Sequence, residues 1–260
     1  MQIEEVYKEI NLNLFIISPN NSGSTFLSKA ISCCSQVAHL PIEGQHLPCW
    51  AGPSIPAAGL NLIWGAEKFN YVRTLQNPQN YNWSQIKKCW YSNIRSKSNN
   101  FSLFLEKSPP HLTRVEMLEN NFHNSRFVFL MRNPFAIAES IVRYRSKVEN
   151  ILEIAASHIV TCFYLQKENY KKYPDSLKIN YEEMCDNPIA TEQKIISYFP
   201  ELYDLKLDQQ LKVKSYNERL RNMNQEQIAR LSNQQLKKLS LIFSQHKPLF
   251  NFFGYETFLD

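Results

Sequence analysis

Short apolar runs bounded by turn residues recur along the chain, and they predict strands. Leu12–Ser18 (LNLFIIS) is the first, followed by the weaker Gln36–Leu40 (QVAHL), then Ser102–Leu105 (SLFL), Arg126–Met131 (RFVFLM) and Ser176–Asn180 (SLKIN). The unbroken apolar character of RFVFLM suits a parallel strand buried on both faces. Segments with helical spacing lie between: Thr25–Cys34, Trp83–Ser96, Thr113–Asn121, Pro134–Tyr144, Ile151–Tyr173 and Ile189–Tyr198. Asn133 caps the fourth of these, and Pro134 takes its first position, where a missing N–H costs nothing. The C-terminal third, above all Gln225–His246, reads as helix with a polar surface. Strands alternating with helices predict an α/β fold: a single domain over residues 1–260, with a central parallel sheet and helices on both faces.

Pro41–Gly65 interrupts the alternation. It holds four glycines, four prolines and two tryptophans, and its aromatic content marks an ordered loop or lid rather than a disordered linker. Composition adds one exclusion. Only six of 260 residues are glycine, so the chain contains no G-x-G-x-x-G dinucleotide turn and no G-x-x-x-x-G-K-S/T phosphate loop. A phosphate-binding turn here has to work with one glycine.

Charge and cysteines narrow the partners. A net charge of +5, with basic pairs such as Lys87-Lys88 and Lys237-Lys238 isolated, suits a small polyanion and no nucleic acid. The six cysteines form no C-x-x-C and no metal-type spacing with histidine, which argues against a metal site and against a disulfide framework. The N-terminal residues 1–17 lack the basic and long apolar regions of a signal peptide, and no run approaches a membrane span. The expected location is cytoplasmic, with no membrane partner.

Two segments carry candidate chemistry. In Leu14–Leu27 a strand ends at Ser18, a polar turn holds Gly23, and a helix begins near Ser24-Thr25. Amides at such a turn, together with the helix dipole, form an anion site, to which the hydroxyls of Ser22, Ser24 and Thr25 add donors. In the second, RFVFLMRNPFAIAESIVRYR, Arg132 follows a strand at its carboxyl end, where open parallel sheets bind ligands. Ser140 follows within the next helix, and Arg143 and Tyr144 share its face. An arginine, a hydroxyl and a second cation on one spot suit a phosphate monoester.

Together the S-x-x-x-S-G-S-T turn and the later R-N-P-x-x-x-x-x-S turn resemble the PAPS-dependent sulfotransferases. Leu105–Pro109 (LEKSP) is similar to that family's E-K-S/T-P segment, and Ile179–Pro188 (INYEEMCDNP) to its Y-E-D/E-x-x-x-x-P segment. The resemblance implies a P-loop-like sulfotransferase fold and transfer of a sulfuryl group from PAPS, leaving PAP, without a metal. It implies that Asn21, Ser22, Gly23, Ser24, Thr25 and Phe26 hold the 5′-phosphosulfate. Arg132 and Ser140, with Arg143, would hold the 3′-phosphate, and Tyr181 would contact the nucleoside. One departure stands out. The family often places a cation just before S-G-S/T-T, where this chain has Asn20-Asn21-Ser22, so Lys107 is the expected aid to the leaving phosphate.

For the base that takes the acceptor's proton, Glu43 is favoured, with His46 and His111 as alternatives. Residues 41–75 are expected to form the acceptor side, and 205–260 a C-terminal helical part. The acceptor implied is a small soluble metabolite or natural product with a hydroxyl or amine-type nitrogen; a homodimer is left open. Two rivals remain: an atypical P-loop kinase using ATP–Mg, although Ser24 stands where its lysine belongs, and a non-catalytic nucleotide-binding protein.

Overall fold

The computed structural model describes residues 9–55, 60–213 and 216–257. Parts of the acceptor-side loop (56–59), of the N-terminal segment (1–8) and of the C-terminal part (214–215, 258–260) lie outside the described residues. One sheet contains β1 (Leu12–Ile17), β2 (Val37–His39), β3 (Arg95–Ser96), β4 (Leu103–Glu106), β5 (Ser125–Met131) and β6 (Leu177–Asn180). Their order is β3-β2-β4-β1-β5-β6. Every pairing is parallel except β2 with β3.

The central sheet is thus mostly parallel, with one short antiparallel strand added at its edge. Arg95 and Ser96 read as the end of a helix, but the helix stops at Ser92 with Asn93 as its C-cap. The chain then turns back along β2, and the Ser96 hydroxyl donates to the Val37 carbonyl at 3.1 Å.

The helices are α1 (Ser24–Ile31), α2 (Tyr71–Gln76), α3 (Trp83–Ser92), α4 (Val115–Asn121), α5 (Pro134–Tyr144) and α6 (Ile151–Lys172). Beyond them come α7 (Tyr181–Asp186), α8 (Pro188–Tyr198), α9 (Asn224–Ile228), α10 (Asn233–Ser244) and α11 (Lys247–Phe252). All six residues of β1 are buried, and their alternation explains why. Leu12, Leu14 and Ile16 meet Phe26, Leu27 and Ile31 of α1 and Ile195 of α8 on one face. Phe15 and Ile17 meet Trp90 of α3 and Leu118 of α4 on the other. A third cluster joins α5, α6, α10 and α11 through Phe135, Phe163, Phe243 and Phe250.

The C-terminal part is less helical than its sequence suggests. Gln210–Val213 and Tyr216–Arg219 form a two-stranded antiparallel hairpin, β7 and β8. The expected helix over Gln225–His246 is divided, because Ser232 caps α10 in a full capping box with Gln235. A bridge also joins Cys49, in the aromatic loop, to Cys89 of α3. Its sequence separation of 40 is closed by tertiary packing and leaves no local spacing signal.

The strand order reverses at β1. From it the chain goes first to β2, beyond β4, and later crosses to β5 on the opposite side. In open α/β sheets a crevice forms at the carboxyl ends of strands flanking such a point.

Candidate active site

A cleft of about 470 Å³ occupies that position. Its lining is drawn from the segments that follow five strands: Asn20–Phe26 (without Ser22) after β1, Glu43 after β2, Lys107 and Pro109 after β4, Arg132 after β5, and Tyr181 after β6. The remaining wall comes from Leu62 of the aromatic loop, from α5 and from residues between Leu211 and Arg230.

The turn after β1 has left-handed backbone at Asn21 (φ 61°) and Gly23 (φ 86°). Glycine is required at the second of these on two counts. A side chain strains that φ, and a Cβ would stand 2.6 Å from the Tyr181 ring. The turn aims the chain into α1 so that Ser24 and Thr25 open the helix, where no intrahelical carbonyl reaches their amides. The Asn21 side-chain amide nitrogen and the Ser22 hydroxyl are buried with no hydrogen-bond partner among the described residues. Ser22 is 0% exposed and lies beneath the turn, not on the cleft wall. Asn20 faces the aromatic loop: its carbonyl oxygen accepts from the Trp64 indole at 2.9 Å, and its amide donates to Asn61 O at 3.1 Å.

Arg132 and Ser140 meet through a residue the sequence reading missed. Gln227 of α9 accepts from Arg132 Nη2 at 2.5 Å and donates to Ser140 Oγ at 3.1 Å. Arg132 also donates from Nε to Asn224 Oδ1 and from Nη1 to the Asn21 carbonyl, at 2.9 and 2.8 Å. Three of its five N–H groups are thereby engaged. Its guanidinium lies 3.9 Å from the centre of the Tyr181 ring, in cation–π contact.

Tyr181 packs on Gly23, while its hydroxyl donates to Arg221 O and accepts from Met223 N–H. It joins three walls of the cleft. Arg143 reaches the cleft from α5, paired with Glu139 at 2.8 Å.

Glu43 and Lys107 form the opposite wall, in contact at 2.6 Å. Burial pushes the Glu43 carboxyl up, but hydrogen bonding to His46 and the Lys107 ammonium outweigh it and bring it down to about 2. His46 stands 3.5 Å from Glu43, half exposed and outside the cleft lining. Its hydrogen bond to Glu43 raises its affinity for a proton.

His111 lies elsewhere. It is fully buried; Nε2 is bonded to Glu106 and Nδ1 accepts from Arg114, so neither ring nitrogen faces the cleft. Burial lowers its proton affinity. Further cations, Arg219, Arg221 and Arg230, line the cleft beside Glu226. The polar, arginine-dotted stretch from 216 to 230 was their one sequence signal, and its reading as helix surface hid it.

A family model described as the sulfotransferase family matches residues 13–204. The chain belongs to this family. The matched span holds the turn after β1, Glu43, Lys107, Arg132 and Tyr181; the arginines beyond β7 lie outside it. No curated protein matches the chain in sequence. Among solved structures, the sulfotransferase domain of the curacin biosynthetic pathway shares 19% identity, TM-score 0.51, covering 94% of this chain and 97% of its own. A sulfotransferase from Alicyclobacillus acidocaldarius shares 13%, TM-score 0.51, covering 92% and 94%. One from Mycobacterium avium shares 13%, TM-score 0.55, covering 94% and 77%. At these identities the likeness is one of fold, and it establishes the α/β sulfotransferase architecture. Among the described residues this sulfotransferase has no helix long and apolar enough to cross a membrane.

Proposed function

We propose that the protein moves a sulfuryl group from PAPS to a hydroxyl or amine-type nitrogen of a small-molecule acceptor by in-line displacement. The observation that carries this reading is the pairing of two anion-binding walls in one cleft. A glycine-turned helix N-terminus with orphaned donors stands on one side, and the Arg132–Gln227–Ser140 cluster on another. That arrangement fits a donor bearing phosphates at two places. An ATP-type loop needs a lysine beside its glycine, and Ser24 stands there.

In this reading the Gly23, Ser24 and Thr25 amides hold the 5′-phosphosulfate, with the Asn21 amide in place of the cation found in many relatives. Arg132, Ser140 and Arg143 hold the 3′-phosphate, and Phe26 and Tyr181 shape the walls around the donor. PAPS supplies a sulfuryl group joined to a phosphate oxygen. Glu43 takes the acceptor's proton as the new bond to sulfur forms, and Lys107 stabilises the charge left on the phosphate oxygen as the old bond breaks.

A carboxylate held at about 2 is a weak base. The mechanism therefore requires Lys107 to leave Glu43 for the donor, and His46 to give up its hydrogen bond to Glu43, before the proton moves. An acceptor panel with labelled PAPS tests the activity. Glu43→Gln tests the base: kcat is expected to fall roughly 10²–10⁴-fold with bisphosphate affinity unchanged. A wild-type rate removes Glu43 from the role.

A further inference from the structure

Glu106 is the last residue of β4, and its side chain is 1% exposed. A buried carboxylate is costly unless it is fully paired, and this one is. Oε1 accepts from the Gly44 amide and from the Ser108 hydroxyl, each at 2.7 Å. Oε2 meets His111 Nε2. Arg114 can only donate, so its 2.9 Å bond to His111 Nδ1 puts the ring proton on Nε2, where it is given to Glu106. The chain of contacts continues from Arg114 Nη1 to the Tyr81 hydroxyl at 3.2 Å and from there to the Leu75 carbonyl at 2.7 Å. Carboxylate, neutral imidazole and guanidinium thus form a relay buried among aromatic rings, with Arg114 over Trp50 and Tyr81.

The outer end of this relay is Gly44, the residue after Glu43. Behind Gly44 lies Trp90; a Cβ on Gly44 would stand 2.4 Å from the indole nitrogen. The peptide that carries Glu43 is therefore gripped between the Glu106 carboxylate and the Trp90 ring. Two successive residues of β4 and its extension hold two successive residues of the loop: Lys107 takes the Glu43 side chain, and Glu106 takes the Gly44 backbone.

We propose that Glu106 is a positioning residue for sulfuryl transfer, fixing the Gly44 amide so that Glu43 stands over the cleft. The inference rests on the reading of Glu43 as base. Glu106 does not line the cleft, and its effect reaches the reaction through the Glu43–Gly44 turn.

The test compares Glu106→Ala and Glu106→Gln in wild-type and Glu43→Gln backgrounds, with steady-state kinetics on PAPS and calorimetry with adenosine 3′,5′-bisphosphate. Glu106→Ala is expected to lower kcat roughly 10- to 100-fold, the scale of a small misplacement of a reacting group, with KM for PAPS and bisphosphate affinity unchanged. Glu106→Gln keeps an oxygen for Gly44 and Ser108 but sets its NH2 against the His111 Nε2–H, so it is expected to recover only part of the rate lost in Glu106→Ala. In the Glu43→Gln background, Glu106→Ala is expected to cost nothing further, since coupled residues do not add. If Glu106→Ala does not fold, Gly44→Ala displaces the same turn while leaving Glu106, His111 and Arg114 unchanged, and the same loss confined to kcat is expected.

A folded Glu106→Ala enzyme, or a Gly44→Ala enzyme, with wild-type kcat overturns the inference while leaving Glu43 as base. An equal loss from Glu106→Ala in both backgrounds overturns it too, because the effect then bypasses Glu43. A Glu43→Gln enzyme with wild-type kcat overturns the base reading, and this inference with it.

Discussion

Glu43 is held between Lys107 and His46, and its response to pH follows from that contact. Its folded-state value of about 2 lies below the ordinary 4.5. A carboxylate depressed on folding contributes stability that is fully present above its ordinary value and lost as pH falls through the folded value. The difference in unfolding free energy between the wild type and Glu43→Gln should therefore be steady between pH 4.5 and 6.5, shrink below 4.5 toward about 2 as Glu43 takes a proton, and shrink again above 6.5 as His46 loses the proton that Glu43 helps it hold. Urea unfolding at several pH values measures it, and a difference independent of pH below 4.5 would contradict the assigned pairing. At this scale the sequence was informative for several residues that follow a strand, though not for Ser22 and His111, which are buried away from the cleft. Arg132 and Lys107 were legible because RFVFLM and SLFL mark their strands. Gln227 and Asn224 were not, since a polar helix residue that bonds a distant arginine looks like any exposed one.

The turn between β1 and α1 depends on Gly23. In Gly23→Ala the left-handed backbone alone costs about 1–3 kcal/mol, and the new Cβ meets the Tyr181 ring, which also carries Arg132. Lower stability and weaker bisphosphate binding are expected together, read by urea unfolding and calorimetry; unchanged binding would separate this turn from the donor site.

The aromatic loop has its own tether in the bridge from Cys49 to Cys89 of α3. Trp50, next to Cys49, stacks on Trp90, next to Cys89, with ring planes 13° apart. Cys89→Ser is expected to destabilise the protein by roughly 2–4 kcal/mol, and adding reductant to the wild type should produce a similar loss in its unfolding midpoint.

Elements with continuous apolar runs were readable, because burial on both faces leaves a plain signal. The β7–β8 hairpin was not, because the alternation in QLKV spans only four residues and YNER beside it has no apolar run. The break before α10 was present as Ser232 and Gln235, a capping box inside a helical pattern. The edge strand β3 holds only two residues, too few for any period to register.

Across the whole molecule, the reversal of strand order at β1 gathers the residues into one cleft. Segments far apart in the chain, from the turn after β1 to Arg230, meet at the carboxyl ends of the strands. The cleft carries six cationic side chains, Lys107, Arg132, Arg143, Arg219, Arg221 and Arg230, against the carboxylates of Glu43 and Glu226. That excess favours a polyanion, and the absence of G-K-S/T disfavours a nucleoside triphosphate. The chain's fold class was legible in the alternation of strands and helices, whereas the closing of the cleft by residues 211–230 required three dimensions. Calorimetric titration of the same preparation with adenosine 3′,5′-bisphosphate and with ATP–Mg tests the donor assignment most directly. Saturable binding of the bisphosphate, weakened in Arg132→Ala by roughly 1.5–3 kcal/mol for a lost charged hydrogen bond, with no comparable binding of ATP–Mg, is the predicted result. Tight binding of ATP–Mg with none of the bisphosphate would contradict it.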